Sequence, residues 1–340
     1  MTQPLKIAIN GFGRIGRLVL RALIERQATD CQVVALNDLS PPETNAHLFK
    51  YDSIHGLYPE PVVLCAETGT SLDVGHGEIK LFQERDPAKL PWGALGVDIV
   101  FECSGAFTSK ESAGAHLTAG AKKVIISAPA SGVDLTVVYG VNHHKIDASH
   151  NIISNASCTT NCLAPLAKVL EETFGIEKGF MTTIHAYTGD QRLVDTHHSD
   201  LHRSRAAATS MIPTSTGAAR AVGLVLPELK GKIDGTAIRV PLANVSVVDF
   251  KFTSKKKTTP EEINTALKAA ASTHLSGILE TNELPLVSID FNHNPHSSIV
   301  DLAQTQVVEG DFCRVLSWYD NEWGFANRMI DTARIIGKLL

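Results

Sequence analysis

Two cysteines four residues apart stand where an apolar, helix-like run begins. Cys158 and Cys162 lie in the segment Ser-Cys-Thr-Thr-Asn-Cys that starts at Ser157, and residues 163–170 are mostly apolar. Small capping residues ahead of such a run predict that a helix starts at Cys158. At a helix start, free N–H groups and the helix dipole favour a thiolate over a thiol. We therefore predict that Cys158 is a nucleophile and that Cys162 packs in the core.

A nucleophilic cysteine needs a base. The β-rich run 179–185 ends at His185, just before a loop that contains Gly189. A histidine at a strand end before such a loop is a candidate catalytic base, although spacing alone does not pair it with Cys158.

A second group of residues could bind phosphate. The predicted strand 6–10 leads into Gly11-Phe-Gly-Arg-Ile-Gly, in which the glycines fall at 11, 13 and 16, and apolar residues at helical spacing follow. Gly11 allows a tight turn, Gly13 admits a pyrophosphate and Gly16 lets helix and strand pack closely. Asp38 stands 22 residues after Gly16, where a carboxylate binds ribose hydroxyls. This pattern predicts a dinucleotide site, and Asp38 favours NAD because it would repel the 2′-phosphate of NADP.

Further strands and helices must position these groups. Strands are predicted at 98–105, 123–127 and 137–141, with a helix that has capping-box spacing from Thr108 and ends at Gly120. Strands that alternate with helices predict a doubly wound, mostly parallel α/β sheet. Its ligands should lie at the carboxyl ends of the strands.

Composition limits the remaining possibilities. The chain has 340 residues, 44% hydrophobic and 20% charged, with a net charge of −5. These values exclude disordered and fibrous classes, predict two domains, and disfavour a dedicated nucleic-acid binder. The basic run Lys255–Lys257 is predicted to be a solvated turn. Thr259-Pro-Glu-Glu, just after it, predicts a helix start. No apolar run is long enough to span a membrane and the sequence starts without a signal peptide, so we expect a cytoplasmic protein with no membrane partner.

The six cysteines include no Cys-x-x-Cys pair. They predict neither a metal site nor a disulfide framework.

Five segments together resemble one enzyme family, the phosphorylating glyceraldehyde-3-phosphate dehydrogenases. These segments are residues 9–16, 154–162, 213–220, 239–241 and 318–324. The resemblance extends from about residue 6 to residue 337, and the Cys-Thr-Thr-Asn-Cys run is its most specific motif.

The resemblance implies a fold and an assembly. Residues 1–157 and 322–340 would form a Rossmann NAD-binding domain, and residues 158–321 an α+β catalytic domain. The segment 183–205 would be a loop that reaches the NAD site of a neighbouring subunit in a homotetramer.

The resemblance also implies roles for single residues. Cys158 would attack the aldehyde of glyceraldehyde 3-phosphate, His185 would be the base, and inorganic phosphate would resolve the resulting thioester. The phosphate of the substrate would be bound by Thr188, Arg203 and Arg239. Inorganic phosphate would be bound by Ser157, Thr159, Thr216 and Gly217. NAD would be contacted by Gly11, Gly13, Arg14, Ile15, Gly16, Asp38, Arg85 and Ser127. Asn321 would orient the nicotinamide carboxamide, or Asp320-Asn321 would simply cap the last helix.

Some alternatives stay open at this point. Thr196-His197 departs from the Leu-Pro of many NAD-specific relatives, so the strictness of NAD preference is not determined. The nearest alternative activity is that of erythrose-4-phosphate dehydrogenases, against which Thr188 and Ser215-Thr216-Gly217 favour the triose substrate. A nucleic-acid- or partner-binding module is disfavoured because Lys255–Lys257 is the only basic run and no aromatic residues are interleaved with it. A non-catalytic scaffold is disfavoured because both Cys158 and His185 are present.

Overall fold

A computed structural model describes residues 3–65 and 69–340 of the chain. Met1 and Thr2, the start of the predicted first domain, lie outside the described residues. The chain divides into two compact units. Unit 1 comprises the chain up to Val137, His143–Ala156 and Ala326–Leu340, and unit 2 comprises Val138–Asn142 and Ser157–Phe325.

Unit 1 is built on a sheet whose strands alternate with helices. Its strands are β1 Leu5–Asn10, β2 Cys31–Asn37, β3 Tyr51–Asp52, β4 Gly56–Leu57, β5 Val63–Leu64, β6 Ser71–Asp73, β7 Glu78–Phe82, β8 Ile99–Glu102, β9 Lys123–Ile126, β10 Leu135–Thr136 and β11 Ile152–Ser154. Its helices are α1 Arg14–Glu25, α2 Pro42–Lys50, α3 Trp92–Leu95, α4 Lys110–Ala113 and α5 Ala115–Thr118. In the main sheet the strand order is β10-β11-β9-β8-β1-β2-β7-β6-β5. The pairings from β10 to β7 are parallel, and β6 and β5 add antiparallel strands at one edge. This arrangement confirms the predicted doubly wound α/β class.

The central strands of unit 1 are apolar runs because both faces of a parallel sheet are covered. Ala8, Val100 and Val124 from three neighbouring strands share one buried cluster with Trp92. The apolar face of α1 packs in the core through residues such as Leu18 and Val19. The sheet is therefore a rigid support for the loops at its carboxyl edge.

Two local predictions for the first domain are wrong. Residues 137–141 are not a strand: β10 ends at Thr136, and the Val138 carbonyl accepts the N–H groups of Val141 and Asn142 in a turn. The β-branched residues of this run favour a strand, but Gly140, whose φ is +86°, turns the chain within it.

The predicted capping box at Thr108 is displaced by one residue. Ser109 is the actual N-cap, and its hydroxyl accepts the Ser112 N–H. Two short helices, α4 and α5, meet at Gly114 in place of one continuous helix.

Unit 2 contains a mixed sheet. Its helices and strands are α6 Cys158–Phe174, β12 Ile176–Ala186, β13 Ile212–Ser215, α7 Ala218–Val225, β14 Ile233–Val240, β15 Ser246–Ser254, α8 Pro260–Ser272, β16 Leu279–Asn282, β17 Ser298–Val308 and β18 Phe312–Tyr319. The strand order is β13-β14-β12-β15-β18-β17-β16, with β12/β14 and β16/β17 parallel and the other pairs antiparallel. This sheet is consistent with the predicted α+β class. The helix α9, Trp323–Gly337, starts in unit 2 and continues in unit 1.

Capping residues begin two helices of unit 2 where the sequence predicts them. Ser157 caps α6, and Thr259 forms a capping box with Glu262 at the start of α8. The basic run Lys255–Lys257 is an exposed turn between β15 and α8. Within the described residues, no helix combines the length and apolar character needed to cross a membrane.

Candidate active site

Cys158 is the first residue of helix α6. Ser157 ahead of it is extended, with φ −107° and ψ 163°, and its hydroxyl accepts the Thr160 N–H at 3.1 Å. The Cys158 Sγ lies 3.5 Å from the Nε2 atom of His185, at the end of β12. The structure therefore brings the predicted nucleophile and the predicted base together.

Strand pairing places an arginine beside the base. In the parallel β12/β14 ladder, His185 is paired with Arg239. His185 Nδ1 lies 2.7 Å from the Ala186 carbonyl oxygen, which can only accept, and 2.8 Å from Arg239 Nη1, which can only donate, so the two contacts require opposite tautomers. A base for Cys158 requires the tautomer whose hydrogen is on Nδ1, bonded to Ala186. The lone pair of Nε2 then faces the thiol. The Arg239 Nη1 atom is 2.8 Å from Nδ1 and also donates to the Ala186 carbonyl at 3.0 Å.

Burial decides the protonation of this pair. It lowers the pKa of His185 to about 3, and the positive charge of Arg239 acts in the same direction. Burial also raises the pKa of Cys158, although the Arg239 charge and hydrogen bonding by Thr159 oppose it. Burial therefore opposes the thiolate that the helix start is expected to favour at Cys158. For both groups burial favours the neutral form, a thiol facing an imidazole.

The residues predicted to bind inorganic phosphate lie at two helix starts. Ser157 and Thr159 belong to the start of α6, whereas Thr216 and Gly217 immediately precede α7, where the Thr216 hydroxyl accepts the Ala218 N–H at 3.1 Å. A bond of 3.3 Å from the Thr160 hydroxyl to the Ala218 carbonyl joins the two starts. Helix starts present free N–H groups to anions, so this pair of termini suits a phosphate.

The predicted phosphate-binding arginines are held by neighbouring side chains. Arg203 Nη1 donates to Asp190 at 2.6 Å, and its Nε donates to the Thr214 hydroxyl at 2.9 Å. Asp190 lies two residues after Thr188 in the sequence, and Thr214 lies two residues before Thr216. Arg239 Nε is buried and has no hydrogen-bond partner in the described part of the chain, as expected of a donor for a ligand.

Several site residues were not predicted from the sequence. Gln191 accepts both the N–H and the hydroxyl of Thr188, at 2.6 and 3.2 Å. The Tyr319 hydroxyl lies 2.8 Å from that of Thr159 and 2.9 Å from that of Thr183. Tyr319 lies in the segment 318–324 and Asp190 in the segment 183–205, but nothing in their spacing predicts a role for either residue.

The glycine turn of unit 1 has the clearances that a pyrophosphate requires. Gly11 has φ +90°, and a Cβ there would lie 2.4 Å from the Ser104 nitrogen. A Cβ on Gly16 would lie 2.2 Å from the Gly11 oxygen, whereas Gly13 has no atom within 4 Å of a Cβ position. Gly13 precedes α1 without a side-chain cap, and the first turn of α1 carries no acidic residue. This helix start therefore has room for an anion beside Gly13.

The other predicted cofactor residues of unit 1 follow the carboxyl ends of parallel strands. Asp38 follows β2, Arg85 follows β7 and Ser127 follows β9, while Arg14 and Ile15 begin α1 after β1. They therefore lie along one edge of the sheet.

Asp38 and Arg14 are held by specific partners. The Asp38 carboxylate accepts the N–H groups of Phe12 and Ser40 at 2.7 and 2.8 Å. Arg14 donates to Asp52 at 2.6 Å. Although burial of Asp52 opposes ionisation, this bond and the N–H groups of His55 and Ile54 hold its pKa at about 2.

Asp320, rather than Asn321, caps the last helix. Asp320 Oδ1 accepts the N–H groups of Glu322 and Trp323 at 2.9 and 2.8 Å, at the start of α9. The Asn321 side chain accepts the Ser246 hydroxyl at 2.8 Å. The capping role therefore belongs to Asp320, and the Asn321 amide is left for another purpose. Among the described residues, no cluster of three or more His, Cys, Asp or Glu could hold a metal ion.

Known proteins match this chain over nearly its whole length. Residues 5–110 match the family model for the glyceraldehyde 3-phosphate dehydrogenase NAD binding domain, and residues 157–321 match the model for the C-terminal domain. A glyceraldehyde-3-phosphate dehydrogenase of Xanthobacter flavus is 66% identical over 337 residues, covering 99% of this chain and 100% of the relative. Relatives of the same name from Cereibacter sphaeroides and Geobacillus stearothermophilus are 60% and 56% identical, with 99% of this chain covered in each case. These relatives are covered over 100% and 99% of their own lengths.

Both domain models and the full-length relatives carry the same name, and the first model is that of an NAD-binding domain. NAD is therefore the cofactor, and the chain belongs to the glyceraldehyde 3-phosphate dehydrogenase family.

Proposed function

We propose that this chain catalyses the NAD-dependent oxidation of D-glyceraldehyde 3-phosphate, with inorganic phosphate, to 1,3-bisphosphoglycerate. The observation that carries this proposal is the 3.5 Å pairing of the Cys158 thiol with a neutral His185, beside the Arg239 guanidinium. The identity to relatives named for this activity supports the choice of substrate.

The chemistry follows from this pair. Cys158 Sγ attacks the aldehyde carbon while its proton passes to His185 Nε2 and from there to the aldehyde oxygen, which gives a hemithioacetal. Bound NAD supplies the hydride acceptor for oxidation of that carbon. As the hydride leaves, the hydroxyl of the hemithioacetal gives its proton to His185, and a Cys158 thioester remains. Attack of inorganic phosphate on the thioester carbonyl expels the thiolate, which regains a proton from His185, and releases the acyl phosphate.

The anion sites support the same reaction. We assign the substrate phosphate to Thr188, Arg203 and Arg239, and inorganic phosphate to Ser157, Thr159, Thr216 and Gly217. Charged guanidinium donors and helix-start N–H groups are the chemistry that phosphate requires. The contact of Arg203 with Asp190, two residues after Thr188, supports its place in the site for the substrate phosphate.

The cofactor assignment covers nine residues. We propose that NAD contacts Gly11, Gly13, Arg14, Ile15, Gly16, Asp38, Arg85, Ser127 and, through the carboxamide, Asn321. We further propose that residues 1–157 and 322–340 act as the NAD-binding domain and residues 158–321 as the catalytic domain. The open space at Gly13 and the carboxylate of Asp38 support NAD as the bound form.

We propose that the enzyme is a cytoplasmic homotetramer. The segment 183–205, which the resemblance places against a neighbouring subunit, exposes Leu193, Val194 and Leu201 to solvent. Three large apolar side chains on one exposed segment support a surface that another subunit covers.

The test is NADH formation from glyceraldehyde 3-phosphate with and without inorganic phosphate, in parallel with erythrose 4-phosphate and with NADP. We expect phosphate-dependent turnover of the triose that the Cys158→Ala variant lacks. Faster turnover of erythrose 4-phosphate without a phosphate requirement would overturn the substrate assignment.

A further inference from the structure

We propose that Ser246 is a positioning residue for the cofactor: its hydroxyl orients the Asn321 amide towards the nicotinamide carboxamide and ties it to the strand that carries His185. This inference rests on the proposed function, in which Asn321 meets the carboxamide. The evidence comes from the point where β12 and β15 stop pairing.

Ser246 lies where the β12/β15 ladder ends. The antiparallel register pairs Ile184 with Val247, so its continuation would place Ala186 opposite Val245. Val245 has φ +66°, a left-handed conformation that is rare for a β-branched residue, and it is only 2% exposed. The backbone therefore leaves the ladder at this point. In place of a backbone acceptor in the ladder, the Ser246 hydroxyl accepts the Ala186 N–H at 3.1 Å.

The same hydroxyl fixes the orientation of Asn321. A serine hydroxyl has one hydrogen, and here it is donated to Asn321 Oδ1 at 2.8 Å. Asn321 is 5% exposed, and the bond from Ser246 occupies its Oδ1 atom. The Nδ2 atom, which can only donate, is thereby directed away from Ser246 and can serve an acceptor on a ligand. The carbonyl oxygen of a primary carboxamide is such an acceptor.

A second link prevents these two segments from shifting. The side chain of Asn244, on the other side of Val245, donates to Asp320 Oδ2 at 2.8 Å, and the same oxygen accepts the His293 N–H at 2.7 Å. Residues 244–246 and 320–321 are thus joined at two points. The Ser246 hydroxyl is held in place on both sides, which is what a positioning group requires.

The consequence concerns which face of the nicotinamide receives the hydride. A carboxamide held by an oriented Asn321 presents one ring face to the reacting carbon. Without the Ser246 bond, the amide can rotate and exchange its oxygen and nitrogen, so the ring is held less firmly. Ser246 therefore controls both the affinity for NAD and the stereochemistry of hydride transfer.

A double-mutant cycle tests whether Ser246 acts through Asn321. The variants are Ser246→Ala, Asn321→Ala and the double variant, and calorimetric titration gives the dissociation constant of NAD for each. We expect each single variant to weaken NAD binding about three- to tenfold. The double variant should bind no more weakly than Asn321→Ala alone, because Ser246 has no separate contact to lose.

The control is Ser254→Ala, at the other end of β15. Ser254 is also buried, and its hydroxyl also makes two hydrogen bonds, to the carbonyls of Lys256 and Asp311. It should lose comparable stability without a change in NAD affinity. Ser246→Thr, which keeps the hydroxyl, should retain the affinity and the stereochemistry of the unmodified chain.

Stereochemistry gives a readout that a loss of stability does not affect. With triose deuterated at C1, the unmodified enzyme should place deuterium on one face of the nicotinamide C4, and Ser246→Ala should place a measurable fraction on the other.

The proposal is overturned if Ser246→Ala behaves like Ser254→Ala in both assays. It is also overturned if the double variant loses NAD affinity by the product of the losses in Ser246→Ala and Asn321→Ala. A chain that binds NAD but oxidises neither sugar overturns the proposed function, while the dissociation constants still decide the role of Ser246. A chain that binds no NAD overturns both.

Discussion

The Sγ atom of Cys158 lies 3.5 Å from Nε2 of His185, although 27 residues separate the two in sequence. One starts a helix and the other ends the strand that follows that helix. Burial disfavours the charged form of each group, because it raises the pKa of Cys158 and lowers that of His185. In the proposed reaction, a proton transfer between them therefore accompanies attack on the aldehyde.

Replacement of the base should slow the chemical step. For His185→Gln we expect kcat to fall about 10²- to 10⁴-fold, which is the range for removal of a general base. The KM for the triose should change little, because His185 is not assigned to an anion site. Steady-state kinetics measures both constants, and a KM effect without a kcat effect would contradict the assignment.

The buried His185 should make stability depend on pH. The unfolded chain binds a proton at this side chain near its ordinary pKa of 6.5, whereas the folded chain does so only at about 3. Between these values the unfolded state holds more protons, so the free energy of unfolding falls as the pH falls. From about pH 7 to about pH 5, the unmodified chain should lose about 2 kcal/mol more than His185→Gln. Urea unfolding at both pH values measures this, and equal losses would show that His185 titrates normally.

Arg239 should influence both substrate binding and the base. Removal of its charge in Arg239→Gln should raise the KM for the triose about 10- to 100-fold, the value of a hydrogen bond to a charged group. It should also raise the pKa of His185, because the guanidinium charge adjacent to Nδ1 is lost. Arg314→Gln is the matched control, since Arg314 lies in the same sheet but pairs with Asp249. A similar KM for both variants would contradict the anion-site assignment.

Two glycines of the turn should respond differently to alanine. Gly16→Ala brings a Cβ to 2.2 Å from the Gly11 oxygen and should destabilise the chain by about 1–3 kcal/mol. Gly13→Ala meets no protein atom within 4 Å, so stability should be retained. It should nevertheless weaken NAD binding about tenfold or more if the pyrophosphate occupies that space. Thermal unfolding and calorimetric titration distinguish these effects, and unchanged NAD affinity in Gly13→Ala would place the pyrophosphate elsewhere.

Local signals in the sequence were sufficient to predict where two helices of unit 2 begin. Ser157 and Thr259 cap helices where their side chains predict it, because capping depends on residues within one turn. The strand predicted at 137–141 failed because the Asn142 side chain accepts the Val138 N–H at 2.8 Å and stabilises a turn. Periodicity contains no information about such a bond.

Protonation and positioning could not be predicted in the same way. The helix start that favours a thiolate at Cys158 can be predicted from the sequence. The desolvation that opposes the thiolate depends on the residues packed around Cys158, which the sequence does not show. Ser246 was not predicted because a serine at a strand start is common. Its role comes from the left-handed backbone of Val245 and from Asn321, which is distant in sequence.

The path of the chain through the two units has a consequence for synthesis on the ribosome. Helix α9 contributes residues 326–337 to unit 1, where Arg334 pairs with Asp30 at 2.7 Å and the Thr332 hydroxyl donates to Asn155 at 2.8 Å. These residues follow the whole of unit 2 in the chain, so unit 1 is translated first but cannot acquire its last helix until unit 2 has been made. The glycine turn is therefore present on the nascent chain long before the unit that contains it is complete.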